Sequence, residues 1–283
     1  MLEAIRRWAM GLVGAVALCS AAAGQSELPT GTSIFGWATD EILSPFEPDR
    51  GSVTPSARTV PLGRFSLEAG ATVTFDDDDG VETTNLTVPE LLLRAGVSSF
   101  AEVQIGWAGY SATEIDVGGF AETISGGTDL TLGIKLQALE SDGLIPALAV
   151  LGEVSLPVGD EELSSDRVDP SVLAVLSFDD FDTLWRVDAS VELSFLEDSV
   201  TQESFTEVGV AVGVHQTWTP AARTYVEYFN FLRDVDSVED AHFLQAGTII
   251  EAAPQVTIDA RVGFGLTSES ADLFAGAGVS VSF

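Results

Sequence analysis

From Arg64 to the C-terminus the chain alternates apolar and polar residues at a period of two. Phe65, Leu67, Ala69, Ala71, Val73 and Phe75 share one parity; Ser66, Glu68, Gly70, Thr72 and Thr74 share the other. Successive side chains of a strand point to opposite faces, so each such stretch predicts a β-strand with one apolar and one polar side. The pattern recurs along the chain. Leu91, Leu93, Ala95 and Val97 oppose Glu90, Arg94 and Gly96, and Ala101, Val103, Ile105 and Trp107 oppose Glu102, Gln104 and Gly106. Leu130, Leu132, Ile134 and Leu136 oppose Asp129, Thr131, Gly133, Lys135 and Gln137. Trp185 to Phe195 places Arg186, Asp188 and Glu192 on its polar side, and Val208 to Val214 sets four valines against Glu207, Gly209, Ala211, Gly213 and His215. Val256 to Phe264 sets Asp259 and Arg261 on its polar side, and Leu273 to Phe283 opposes Gly276, Gly278, Ser280 and Ser282. Segment 146–157 is apolar on both faces apart from Glu153 and Ser155, 171–178 is weaker again, and 222–231 and 241–250 read as strands without a clear parity. This gives about 12 strands of roughly ten residues, an even number, as in bacterial barrels.

The connections alternate in length. Those at 98–100, 139–144, 179–183, 218–221 and 251–254 are short; those at 76–84, 111–127, 157–169, 196–204, 233–240 and 267–271 are mostly longer and acidic. An up-and-down antiparallel barrel requires this order if short turns share one rim and long loops the other. A ring of about 12 strands encloses too wide a space for Ala and Val to fill, whereas lipid covers them from outside. The reading is an all-β transmembrane barrel over residues 64–283, apolar face outward. The polar parity then lines a lumen: Glu68, Glu90, Arg94, Glu102, Lys135, Glu153, Arg186, Asp188, Glu192, Glu207, Asp259 and Arg261. These charges either set the selectivity of a permeation path or pair with one another structurally. Trp107, Tyr110, Trp185, Trp218 and Phe283 fall near strand ends, where girdle aromatics meet headgroups.

Composition fits the same frame. The chain is 46% hydrophobic, with mean hydropathy +0.27, yet carries a net charge of −32. A barrel reconciles these values by placing charge in loops and lumen. So acidic a chain has no basic patch for nucleic acid. Residues 1–24 read as a signal peptide, with Arg6 and Arg7, an apolar run from Trp8 to Leu18, and Ala21-Ala22-Ala23-Gly24 for cleavage. The one cysteine, Cys19, lies inside it, so no disulfide is expected in the exported chain. Residues 25–63 hold five prolines and little alternation, which predicts an extended segment, periplasmic or lumenal, or a disordered tail.

Candidate chemistry is sparse. His215 and His242 fall near opposite rims and no serine sits in a nucleophile motif, which argues against a hydrolase. Asp188 and Glu192 are read as lumen lining rather than an acid–base pair. Asp76-Asp77-Asp78-Asp79 lacks the spaced Gly and distal Glu of a dedicated Ca²⁺ loop and reads as a solvated tip. Neither cofactor nor metal is expected.

Several stretches resemble one family: Pro48-Asp49-Arg50-Gly51; Arg58 through Gly70; Glu90-Leu91-Leu92-Leu93-Arg94-Ala95-Gly96; Gly127 through Lys135; Pro146 to Ala149; Ser155 to Asp160; and Gln255 through Gly276. From about Phe46 to Phe283 the chain is similar to the outer-membrane transporter family named after the meta-pathway of phenol degradation. The resemblance implies passage of small aromatic or hydrophobic solutes and places Glu68, Glu90, Arg94, Asp129 and Lys135 in the lumen. The strand ending on Phe283 resembles the closing strand of outer-membrane barrels, which the barrel-assembly machinery recognises. The expected protein is therefore a porin-like channel in the cell outer membrane. Its partners would be membrane lipid, that machinery and a small solute. The alternatives are a structural or adhesive barrel with acidic loops, and an outer-membrane hydrolase.

Overall fold

The computed structural model describes residues 47–142, 145–179, 184–197, 204–234 and 240–283. The expected signal peptide and residues 25–46 lie outside them. The strands are β1 (Phe65–Asp78), β2 (Val81–Gly96), β3 (Ala101–Trp107), β4 (Tyr110–Val117), β5 (Phe120–Gly127), β6 (Leu130–Leu139), β7 (Ala147–Leu156), β8 (Asp169–Asp179), β9 (Trp185–Glu197), β10 (Ser204–Thr219), β11 (Ala222–Arg233), β12 (Ala241–Ala253), β13 (Val256–Gly265) and β14 (Leu273–Ser282). β1 pairs antiparallel with both β14 and β2, which closes the ring. Twelve strands make the barrel; β4 and β5 lie outside it as an extra hairpin on the far half of β2. Closure leaves no ring strand with an unpaired edge, as a lipid surround demands.

The two faces are inverted relative to a soluble protein. Val191 and Val226 are 52% and 53% exposed, while Glu68, Glu102, Lys135 and Glu227 on the opposite parity are 0% exposed. Phe100, Phe178, Trp185, Trp218 and Phe283 are exposed beside the short turns, forming an aromatic band at that rim.

Two connections differ from the sequence reading. The stretch 76–84 is not a loop: β1 and β2 continue to Asp78 and Val81, joined by Asp79 (φ 49°) and Gly80 (φ 84°). Two positive φ values in a two-residue connection match the strand-twist-compatible hairpin turn. The stretch 111–127 is the β4–β5 hairpin, turning at Gly118 and Gly119. It leaves the ring at Gly109 (φ 112°), where a Cβ would stand 2.5 Å from the Pro89 carbonyl oxygen. A ribbon beyond the membrane needs no lipid face, so the alternation that marks the ring strands does not mark it.

The segments with weak alternation also have a cause. The inward faces of β7 and β8 carry Ala147, Ala149, Leu151, Leu173 and Val175, which cluster with the buried Ala57. These strands are apolar on both sides because one side meets lipid and the other meets a chain segment lying inside the barrel.

Candidate functional site

Residues 47–63 cross the lumen before the chain enters β1. They pair with no strand along most of this path, so their backbone N–H groups need acceptors in a space shielded from water. Buried wall glutamates supply them. Glu68 accepts from the N–H groups of Asp49 (3.2 Å) and Arg50 (2.8 Å). Glu227 accepts from Val53 (2.8 Å) and Thr54 (2.9 Å), and Glu102 accepts from Val60. Tyr225 donates its hydroxyl to the Gly51 carbonyl. Near the wall, Gly63 donates to the Gly96 carbonyl, and a Cβ at Gly96 would overlap the carbonyls of Val60 and Pro61. The missing side chain lets the two backbones touch.

Cations offset these acids. Arg94, 1% exposed, donates to Glu102 through Nε (2.9 Å) and Nη2 (3.1 Å), to Glu68 through Nη1 (3.1 Å), and to the Glu47 carbonyl (2.9 Å). Lys135 donates to Asp49 and to the Ser56 carbonyl, and lies 3.4 Å from Glu102. The segment contributes charges of its own. Arg50 pairs with Glu90, lies 3.4 Å from Asp259 and donates to the Ala277 carbonyl. Buried ions are tolerated only when paired and hydrogen-bonded, and this cluster meets that condition jointly between wall and segment.

At the short-turn end, Arg186 (2.5 Å) and Arg223 (2.8 Å) both reach one oxygen of Glu47. Burial alone would raise the Glu47 pKa, but the two guanidiniums outweigh it and hold the carboxyl well below the usual range. Arg186 also donates to Asp188 (2.8 Å), which stands 3.0 Å from His215 Nε2. A cavity of about 420 Å³ opens beside them, lined in part by Glu47, Arg58, Arg64, Asp179, Arg186 and Arg223. Toward the long-loop end the inward residues of β11, β12 and β14 are aromatic. Phe229 stacks on Phe243 at 4.9 Å, with Phe231 and Phe274 edge-on or tilted around them.

Of the residues read from the sequence as lumen lining, Glu68, Glu90, Arg94, Glu102, Lys135, Arg186, Asp188 and Asp259 meet in these networks. Arg261 donates to Thr72 (3.0 Å). Glu207 pairs with Arg233 (2.6 Å) near the long-loop rim. Asp129 also sits toward that rim, accepting from Val158, Gly159 and Ser164 and so tying down the β7–β8 connection. Glu153 and Glu192 have no ion pair or hydrogen bond among the described residues. Phe283, the expected assembly signal, exchanges backbone hydrogen bonds with Phe65 at the barrel seam.

Glu47, Asp49, Arg50, Arg223, Tyr225, Glu227 and Gln245 carry no expected lumen role in the sequence, where Asp49 and Arg50 stand out only as part of a family motif. The first three lie in a segment without alternation, where their charges were the available signal. The others lie on β11 and β12, whose inward aromatics hide the parity. His215 and His242 do not share a site. They pair in register with Tyr225 and Asn230 of β11, roughly 17 Å apart at strand spacing. His215 is buried on the inward parity, and His242 bonds the outward Tyr228 (2.6 Å). No group of three or more potential metal ligands occurs among the described residues.

A family model described as "Putative MetA-pathway of phenol degradation" matches residues 48–283. Among solved structures, an outer membrane channel from Pseudomonas putida F1 superposes with a TM-score of 0.65 at 14% identity, covering 82% of this chain and all of that one. The β domain of the Bordetella autotransporter BrkA gives 0.53 at 11% identity, covering 78% and 99%. The translocator domain of the autotransporter NalP from Neisseria meningitidis gives 0.51 at 13% identity, covering 78% and 88%. At these identities the likeness is one of fold. No curated protein sequence matches the chain.

Proposed function

Because the chain belongs to the family described as MetA-pathway of phenol degradation, we propose that it is a channel of the cell outer membrane that passes small aromatic or hydrophobic solutes through a lumen gated by residues 47–63. One observation carries this reading: the segment is held largely by side chain to backbone bonds and ion pairs, not by strand pairing. Such contacts exchange for water when the segment moves, whereas a strand would have to leave a sheet. The fold of the Pseudomonas putida F1 channel supports the same class. The aromatic cluster around Phe229 and Phe243 supports the solute class, since ring faces give an apolar solute a surface in an otherwise charged passage.

A second reading has its own observation. The segment is bonded to wall residues of several strands, Glu68, Arg94, Glu102 and Glu227 among them, which suits a sealed structural barrel with acidic loops. Planar-bilayer recordings of the refolded barrel, with and without residues 25–63, separate the two. A channel gives small currents when intact and larger ones after the deletion. Absence of current from both overturns the channel reading. Vesicle swelling in phenyl β-glucoside faster than in methyl β-glucoside would identify the aromatic preference, and equal rates would remove it.

A further inference from the structure

The chain carries 12 Lys and Arg residues against 44 Asp and Glu. Four of those cations, Arg58, Arg64, Arg186 and Arg223, line one cavity of about 420 Å³ at the short-turn end. Three carboxylates, Glu47, Asp179 and Glu251, line it as well, and Asp179 already pairs with Arg58 at 3.1 Å. Arg186, which also pairs with Asp188, and Arg223 both meet Glu47, whose Oε1 lies 2.5 Å from Arg186 and 2.8 Å from Arg223, and whose Oε2 accepts from Ser56 at 3.0 Å. The occupancy is incomplete, because Arg223 Nε is buried without an acceptor. Two guanidiniums converge on Glu47 Oε1 as ion pairs, and that oxygen, like Arg223 Nε, has no partner in hydrogen-bond geometry among the described residues, so the carboxylate is held by charge and not by the bidentate fork that arginine offers a free carboxylate. Here the carboxylate belongs to the lumenal segment, while both arginines belong to the wall, on β9 and β11.

We propose that Arg186 and Arg223 form a binding site for small organic carboxylates, that Glu47 is its internal occupant, and that a carboxylate entering from the cavity replaces Glu47 and frees the start of the lumenal segment. The cavity gives the incoming anion room beside the occupied position, and Arg223 Nε offers it a donor that Glu47 leaves unused. The site requires the fold described above and does not require that the barrel conduct.

Propionate reproduces the end of the Glu47 side chain, and propionamide is its uncharged counterpart. Titration of the refolded full barrel, followed by ligand-observed NMR at constant ionic strength set with chloride, tests the proposal. Propionate is expected to bind Glu47→Ala on the order of tenfold more tightly than the wild type, because the internal competitor is gone. Propionamide should gain nothing, and the gain should vanish in Glu47→Ala/Arg223→Gln. Equal propionate binding by wild type and Glu47→Ala overturns the proposal, as does an equal gain with propionamide or a gain that survives Arg223→Gln. Heat-modifiable gel migration checks that each barrel has closed; if the Ala variant does not refold, Glu47→Gln serves the same comparison. Bilayer currents from the same samples keep the two readings apart. Binding without current removes the channel and leaves the site, and current without binding removes the site and leaves the channel.

Discussion

Gly70 and Gly278 stand directly opposite each other across the seam where β1 closes on β14, and the guanidinium of Arg50 rests on both. A Cβ at either position would overlap the Arg50 side chain, and one at Gly278 would also come within 2.7 Å of the Ala69 carbonyl oxygen. The smallness of the last strand's polar face therefore has a steric reason. Arg50 reaches Glu90, Asp259 and the Ala277 carbonyl by lying flat on that face.

Gly70→Ala is expected to expel Arg50 from this seat while leaving the seam intact, because the three atoms nearest its Cβ all belong to the Arg50 guanidinium. Overpacking of this kind costs about 1–3 kcal/mol, here borne mainly by the lumenal segment. Trypsin should cleave after Arg50 faster in the variant than in the wild type, with the heat-modifiable gel shift retained. Unchanged cleavage would mean that the guanidinium is not held by the glycine pair.

Arg94→Met should destabilise the barrel as a whole. It leaves Glu68, Glu102 and Asp49 buried around a missing cation, and loss of one member of a buried ion cluster costs about 3–5 kcal/mol. Urea unfolding of the variant in lipid vesicles should show a lower midpoint. Adding Glu102→Gln to Arg94→Met should recover part of the loss, because one uncompensated charge is then removed.

Glu227→Ala removes the acceptor of the Val53 and Thr54 N–H groups and of the Gln245 amide. Unmet buried donors cost about 1–3 kcal/mol each, and the segment escapes that cost by moving to water. Bilayer recordings should show a larger or more frequently open conductance than the wild type. A current no larger than wild type would count against gating by this segment.

The pH response follows from Glu47. Its folded pKa is lowered from an ordinary value of 4.5, so its contacts with Arg186 and Arg223 are complete above that value and lost as pH falls through the lowered one. The contribution of Glu47 to holding the segment should therefore be constant from neutral pH down to about 4.5 and fade only in stronger acid. Measured as the difference in open-channel current between wild type and Glu47→Gln, it should shrink only at the acid end. A difference that disappears between pH 7 and pH 5 would contradict the assignment.

The strands of the ring were legible wherever one parity met lipid and the other met charge, as in Phe65–Phe75 or Trp185–Phe195. β7 and β8 were faint because Leu151, Leu173 and Val175 face Ala57 rather than water. β11 and β12 lacked a clear parity because Phe229 and Phe243 point inward. The β4–β5 hairpin carries no alternation to mark it as strand because, outside the membrane, nothing forces its two faces to differ.

The period-two pattern by itself determined a barrel of twelve strands with its apolar side outward, and it marked many of the buried charges. That pattern is local: each strand must satisfy lipid on one side, so it is written residue by residue. The path of residues 47–63 was decided by tertiary structure alone. Glu68, Glu102 and Glu227 lie on different strands, and Glu47, Asp49 and Arg50 have no period. Only closure of the ring brings those carboxylates around the segment whose backbone they hold.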